Sequence, residues 1–449
     1  MRRLLPRLAS SVSLEPVSKP GCACSRNFHE SVCATHQRVL KLLVTMLMLA
    51  GPFTHSASGG TDLSVIDFLP KGFVIDGTVS YQTEIQQAID AAAESGRTLV
   101  FPSGTYAAHE AGWQLPSGTK LRMYGAVFQV RSEAAADGAV FWGKSVRNVI
   151  LEGGEIVGRN DVWSDGVNIR GVHITGRSSD IKIRDMSLRD LSSNGIGILG
   201  SKEHPVQDVW VRDVVIQNCC NRYPDYLSGE KWEQGSQRED QGLIAFYYVD
   251  DFVVTGCRLE RSRSDGTHFY HARRGHITDN RIYRAKMGGL FLETCENVIG
   301  RGNTMLNNGS RGATIERGSR DCIFSGNVVS NSGREGLWAP NCTGLVVTDN
   351  FFTRNGRKPN GEEQHHIWNA NITINDARHD PSGTATRDYL VSNNVIDTSA
   401  GQVAAIRVAT TDSSRAIVIR GNLLRGENRE ISVSGPQAAE ATIQSNTGR

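Results

Sequence analysis

A repeat of 23 or 24 residues that contains no helical pattern constrains this chain more than any other feature. From residue 252 the sequence divides into FVVTGCRLERSRSDGTHFYHARR, GHITDNRIYRAKMGGLFLETCEN, VIGRGNTMLNNGSRGATIERGSRD and CIFSGNVVSNSGREGLWAPNCTG. A fixed period of this length marks a solenoid, in which each repeat buries its apolar side only by stacking on the next. Short runs rich in Val, Ile, Leu and Phe alternate with Gly, Asn and Asp, so the coils are strand and turn throughout. The sixth position holds Cys257, Asn280, Asn303, Asn327 and Asn350. Asn tolerates the left-handed conformation at a turn, and its amide can bond the equivalent Asn one coil away. The column therefore predicts an Asn ladder.

Less regular coils extend the pattern upstream (IKIRDMSLRDLSSNGIGILG, VWVRDVVIQNCC) and downstream (YLVSNNVIDTSAGQVAAIRV, AIVIRGNLLRGENREISV). A length of 449 residues, 39% of them hydrophobic, allows two or three domains, but the repeat makes residues 61–449 a single one. The one good helix, Ser80 to Gly96, has Ile85 and Ile89 on one face and a glycine stop. A stack of strands ends in an apolar, unpaired edge, which this helix is placed to cover.

The segment IDFLPKGFVIDGTVSYQTEIQQAIDAAAESGRTLVFPSGTY, followed by these coils, resembles right-handed parallel β-helix proteins of the pectate-lyase-like superfamily. That superfamily includes polysaccharide lyases, glycosidases, epimerases and tailspike depolymerases. The resemblance spans roughly residues 62 to 445. It implies an all-β, single-stranded right-handed parallel β-helix with an N-terminal capping helix, and a glycan lying along one outer face. The Asn-Thr-Asp and Gly-His-Gly patterns of polygalacturonases are missing, since Gly275-His276 is followed by Ile. No pectate-lyase calcium motif aligns residue by residue. The resemblance therefore supplies no catalytic residue.

A glycine opens the last strand of each coil: Gly242, Gly266, Gly289, Gly312 and Gly336. The first and third residues after it are mostly apolar and should point inward; alternation then turns the second and fourth outward. The second position reads Ile244, His268, Phe291, Thr314, Trp338, and the fourth Phe246, Tyr270, Glu293, Glu316, Pro340. At a coil spacing of ~4.8 Å, Tyr270, Glu293 and Glu316 form a ladder. Two carboxylates that close would share a proton, and a separation of ~5 Å suits a retaining glycosidase. The competing reading pairs both glutamates with Arg311 and Arg317 on a solvated face. Asp265, Arg311, Glu335, Arg263 and Lys286 lie at the preceding turn. With His268, Tyr270 and His271 they make a proton-transfer set for β-elimination or C5 epimerisation of a uronate. The 13 basic and 8 acidic side chains of residues 252–344 favour an anionic substrate.

Insertions at Asn221–Asp240 and from Arg357 leave the period at the turn before this strand and wall a groove over it. Tyr226, Trp232, His365 and Trp368, with Trp338, are candidates for contact with sugar rings. The expected function is thus a polysaccharide-active enzyme of lyase or epimerase type using Asp265, His268, Tyr270, Glu293, Glu316 and Arg311. A paired-carboxylate hydrolase and a non-catalytic glycan-binding protein are the alternatives.

Arg38, Lys41, the apolar run Leu42 to Phe53 and Ser56-Ala57-Ser58-Gly59-Gly60 follow the order of an export signal, so residues 1–60 read as a leader and the protein as secreted or periplasmic. The apolar run is short for a membrane span, which needs ~20 residues. The stretch before Arg38 is either an extended leader or follows a start codon placed too far upstream. A net charge of +2 does not indicate a nucleic-acid partner. The 39 Arg against 10 Lys suit carboxylate recognition, or reflect coding bias. Six of the nine cysteines follow the leader, with neither zinc spacing nor a disulfide framework, and are expected as isolated buried thiols. No metal is expected as a site component and no cofactor as a requirement; calcium is the one ion left open.

Overall fold

The computed structural model describes residues 61–164, 166–220, 241–357, 370–377 and 380–448. The leader at 1–60 lies outside them. Each regular coil contributes one short strand to each of three parallel sheets of 14, 13 and 12 strands, here sheets 1, 2 and 3 in the order the chain visits them. One coil runs Val249–Thr255, Arg258–Glu260, Thr267–Tyr270. The chain is a right-handed parallel β-helix, with three strands per turn.

The apolar residues of the period meet along the axis. Phe246, Phe252 and Phe269 are almost fully buried. Phe252 and Phe269 stack with ring centroids 5.3 Å apart, and Phe246 meets Phe269 edge-on at 5.4 Å. Burying each ring contributes roughly 1.5–3 kcal/mol. Gly275 makes room for this stack, because a Cβ there would come within 2.0 Å of the Phe252 ring.

The predicted ladder is present at the turn between sheets 1 and 2. Asn280 Nδ2 donates to Asn303 Oδ1 at 3.0 Å, Asn303 to Asn327 at 3.1 Å, and Asn327 to Asn350 at 2.9 Å. It continues through Asn394 and Asn422 to Asn446. The backbone differs from expectation. The left-handed residue is the one before each Asn: Asp279, Gly302, Gly326 and Asp349 have φ between 58° and 67°. That step turns the chain, and the next residue's side chain folds under the corner, where it satisfies the buried backbone: Asn280 also donates to the Val254 carbonyl and accepts from the Cys257 amide.

The helix, α1 (Gln82–Ser95), buries Ile85, Ala88, Ile89 and Ala92 and stops at Gly96 with φ 68°. It closes the first strand of sheet 3, Trp113–Gln114. Gln86 Oε1 accepts from the Gln114 amide at 2.8 Å, and its Nε2 donates to the Gln114 carbonyl at 2.9 Å. The open edge thus gains partners from a side chain.

Candidate active site

Five strands of sheet 3 carry the stripe: β1 (Ile244–Tyr247), β2 (Thr267–Tyr270), β3 (Leu290–Glu293), β4 (Ala313–Glu316) and β5 (Leu337–Trp338). Pairing sets Tyr270 opposite Glu293 and Glu293 opposite Glu316, and Thr314 opposite Trp338, as the spacing predicts. The coil of β1 departs by one residue. Thr267 pairs with Ile244 and Tyr270 with Tyr247, so Leu243, not Gly242, stands where Gly266 does. Ile244 and Phe246, expected outside, point into the core and are fully buried. Gly242, at φ 84°, absorbs the extra residue. Tyr247 thereby enters the ladder above Tyr270. The signal was present, because Phe246-Tyr247-Tyr248 precedes Phe269-Tyr270-His271 by 23 positions.

The stripe faces outward but is not open to water. His268 and Glu335 are 0% exposed, Glu293 1%, Asp265 and Glu316 5%, and Trp338 9%. Tyr270, His271, Arg263 and Arg311 are half-buried, and Lys286 is exposed. The expected wettable column is therefore a packed polar layer.

Its centre is a chain of hydrogen bonds across four coils. Tyr247 Oη lies 2.8 Å from His268 Nδ1, and His268 Nε2 lies 3.0 Å from Glu293 Oε2. Arg317 Nη1 donates to Glu293 Oε1 at 2.7 Å, and its Nε lies 3.3 Å from Glu316 Oε1. A carboxylate accepts only, so the Nε2 facing Glu293 carries hydrogen and Nδ1 is left to accept from Tyr247. The imidazole plane is held by Phe291, stacked 4.5 Å away at 4°. Glu293 and Glu316 thus form no isolated proton-sharing pair; one guanidinium bridges both. Their charge holds Arg317 above the ordinary guanidinium range despite the opposing effect of burial. The Tyr270 ring packs against Tyr247 at 5.2 Å and His271 at 4.3 Å.

A second group lies at the turn before these strands. Asp265 Oδ1 accepts from the Gly288 amide at 2.8 Å, and burial pushes its carboxyl up to about 7, against the lowering effect of that bond and of Arg311. Arg311 Nε is 3.3 Å from Glu335 Oε2, and its guanidinium lies 4.1 Å over the Trp338 ring. Trp338 Nε1 donates to Asn375 Oδ1 at 2.8 Å. Arg311 is thus engaged by protein on both sides, and Trp338 is packed beneath it. Tyr226, Trp232, His365 and Trp368 fall outside the described residues. The six cysteines are free and buried. Among the described residues, no three His, Cys, Asp or Glu are grouped to hold a metal ion. No helix among them is long and apolar enough to cross a membrane.

Residues 226–376, about a third of the chain, match the family model of NosD, a periplasmic copper-binding protein. No curated protein sequence matches. Among solved structures, the A-module of the Azotobacter vinelandii mannuronan C-5 epimerase AlgE4 is 18% identical, with a TM-score of 0.67 over 86% of this chain and 100% of that one. The A-module of AlgE6, a mannuronan C-5 epimerase of the same organism, is 16% identical, with a TM-score of 0.64 over 86% and 99%. The periplasmic alginate epimerase AlgG is 11% identical, with a TM-score of 0.52 over 79% and 77%. These likenesses place the chain among the right-handed parallel β-helix proteins.

Proposed function

We propose that this chain is a secreted or periplasmic polysaccharide-modifying enzyme that removes the C5 proton of a uronate unit, in an epimerisation or a β-elimination. The observation that carries the reading is the Tyr247–His268–Glu293 chain of hydrogen bonds. A C5 proton is acidified by the neighbouring carboxylate only when that charge is neutralised, and a base must then stand ready. Tyr247 becomes such a base when its hydroxyl proton passes to His268 Nδ1, and Glu293 stabilises the resulting imidazolium. Tyr270, half-buried beside it, lies nearest to solvent in the same column. Arg317, half-buried and bound to the glutamates through Nη1 and Nε, is assigned to the uronate carboxylate. The fold likeness to two mannuronan epimerase modules supports this class of substrate. The hydrolase reading is weakened by Arg317, which bridges both glutamates so that they form no isolated proton-sharing pair.

The test is incubation of the full chain in heavy water with polymannuronate, polygalacturonate and polyglucuronate. An epimerase is expected to leave deuterium at an inverted C5 on one of them, and a lyase an unsaturated, ultraviolet-absorbing end with no hydrogen at C5. Absence of all three signals on every polymer overturns the reading. A second reading, a non-catalytic glycan-binding protein, is favoured by the burial of His268 and Glu293, and predicts binding without any of these products.

A further inference from the structure

The column of the relay ends at a turn, and the next residue of each coil opens a different space. Tyr248, His271 and Thr294 directly follow Tyr247, Tyr270 and Glu293 and take left-handed φ of 52°, 51° and 55°. Together with Lys202, Arg273 and Arg320 they line a pocket of about 470 Å³ on the turn between sheets 3 and 1. Its wall combines an aromatic pair with basic groups. Tyr248 and His271 stack with ring centroids 4.6 Å apart at 8°. Arg273 is held by a two-pronged contact with Asp250 at 2.8 and 2.7 Å, and Arg320 by Glu296 at 2.6 Å. Lys202 is exposed on the rim. Of the lining residues three are cations and two are carboxylates, while just outside the lining Glu203 acts on Tyr248 and Arg274 shares Asp250 at 3.3 Å; the lining thus sets one positive charge beside an aromatic surface, the combination that receives an anionic ring.

We propose that this pocket is the subsite for a second uronate unit, so that the glycan crosses the ends of the strands at the relay rather than running along the stripe. The inference rests on the uronate reading above and extends it. Tyr270 joins the two spaces, since its ring meets both Tyr247 of the relay and Tyr248 of the pocket, the latter at 5.6 Å.

The experiment is calorimetric titration of the full chain with hexasaccharides of mannuronate and of galacturonate, comparing the native protein with Lys202→Glu and with Lys71→Glu, an exposed lysine outside the pocket. Lys202→Glu should weaken binding by about tenfold at low ionic strength, and the gap should close at high salt. A methyl-esterified hexasaccharide should bind native and variant alike, and Lys71→Glu should match the native protein. Equal affinities for Lys202→Glu and Lys71→Glu, or no binding of either hexauronate by the native chain, overturn the subsite. Affinity and product are read separately, so the two readings separate. Loss of affinity in Lys202→Glu with no product from the native chain retains the subsite and removes the enzyme. Turnover with an unchanged KM in Lys202→Glu does the reverse.

Discussion

His268 presents its Nε2 to Glu293 Oε2 at 3.0 Å, one coil away, and so leaves Nδ1 as the nitrogen that can take a proton from Tyr247. Neither residue reaches solvent, which makes the pair an internal relay behind a tyrosine. Its charge balance depends on Arg317.

Replacing Glu293 by Gln keeps a hydrogen-bond acceptor for His268 but removes the charge that stabilises an imidazolium. The initial rate of C5 proton removal, read as C5 deuterium for an epimerase or as unsaturated ends for a lyase, should fall by about 10²–10⁴-fold with little change in KM. A rate within twofold of the native one removes Glu293 from the mechanism.

Tyr247→Phe deletes only the hydroxyl that meets His268. Its loss in rate, about 10²–10⁴-fold, should exceed that of Tyr270→Phe. The reverse order on the same polymer would make Tyr270 the base and Tyr247 a packing residue.

Asp265 gives a pH signature in stability. Burial raises its carboxyl in the folded protein from 3.8 to about 7. Between those values the folded chain holds a proton that the unfolded chain has lost, so this group makes stability fall as pH rises through the window. Asp265→Asn keeps the oxygen that accepts from Gly288 and removes the titration. Its stability relative to the native protein should therefore improve between pH 5 and pH 8 in urea unfolding. A constant difference across that range contradicts the assignment.

The Asn ladder should be most sensitive in its middle. Asn327 donates to the Gly300 carbonyl and Asn350, and accepts from the Asn303 amide and side chain. Asn327→Ala leaves several of these buried groups unpaired and should cost about 3 kcal/mol. Asn446→Ala, in the last coil and half-buried, should cost about 1 kcal/mol or less. Equal urea midpoints for the two variants would show that the ladder is decorative.

Much of this architecture was legible from local order. Alternation placed Phe269, Leu292 and Ile315 inside and Glu293 and Glu316 outside, and a constant period stacked like on like. The ladder was legible because Asn recurs at one position, although the left-handed step belongs to the residue before it. The coil of β1 was misphased for a related reason. Gly242 resembles Gly266 in sequence, but the inserted residue shifts the strand; the 23-residue offset of Phe246-Tyr247-Tyr248 from Phe269-Tyr270-His271 carries the true register, and the pairing of Tyr247 with Tyr270 shows it.

The sequence by itself determined the period, the side of each strand that faces the core, the N-terminal helix and the acidic and aromatic character of one column, because these are properties of neighbours along the chain. Tertiary structure alone decided that Arg317 rather than Arg311 bridges the glutamates, and that the column is packed away from water. Those facts depend on how far one coil slides over the next and on which side chains from different coils compete for the same space, and neither distance is encoded within a single repeat.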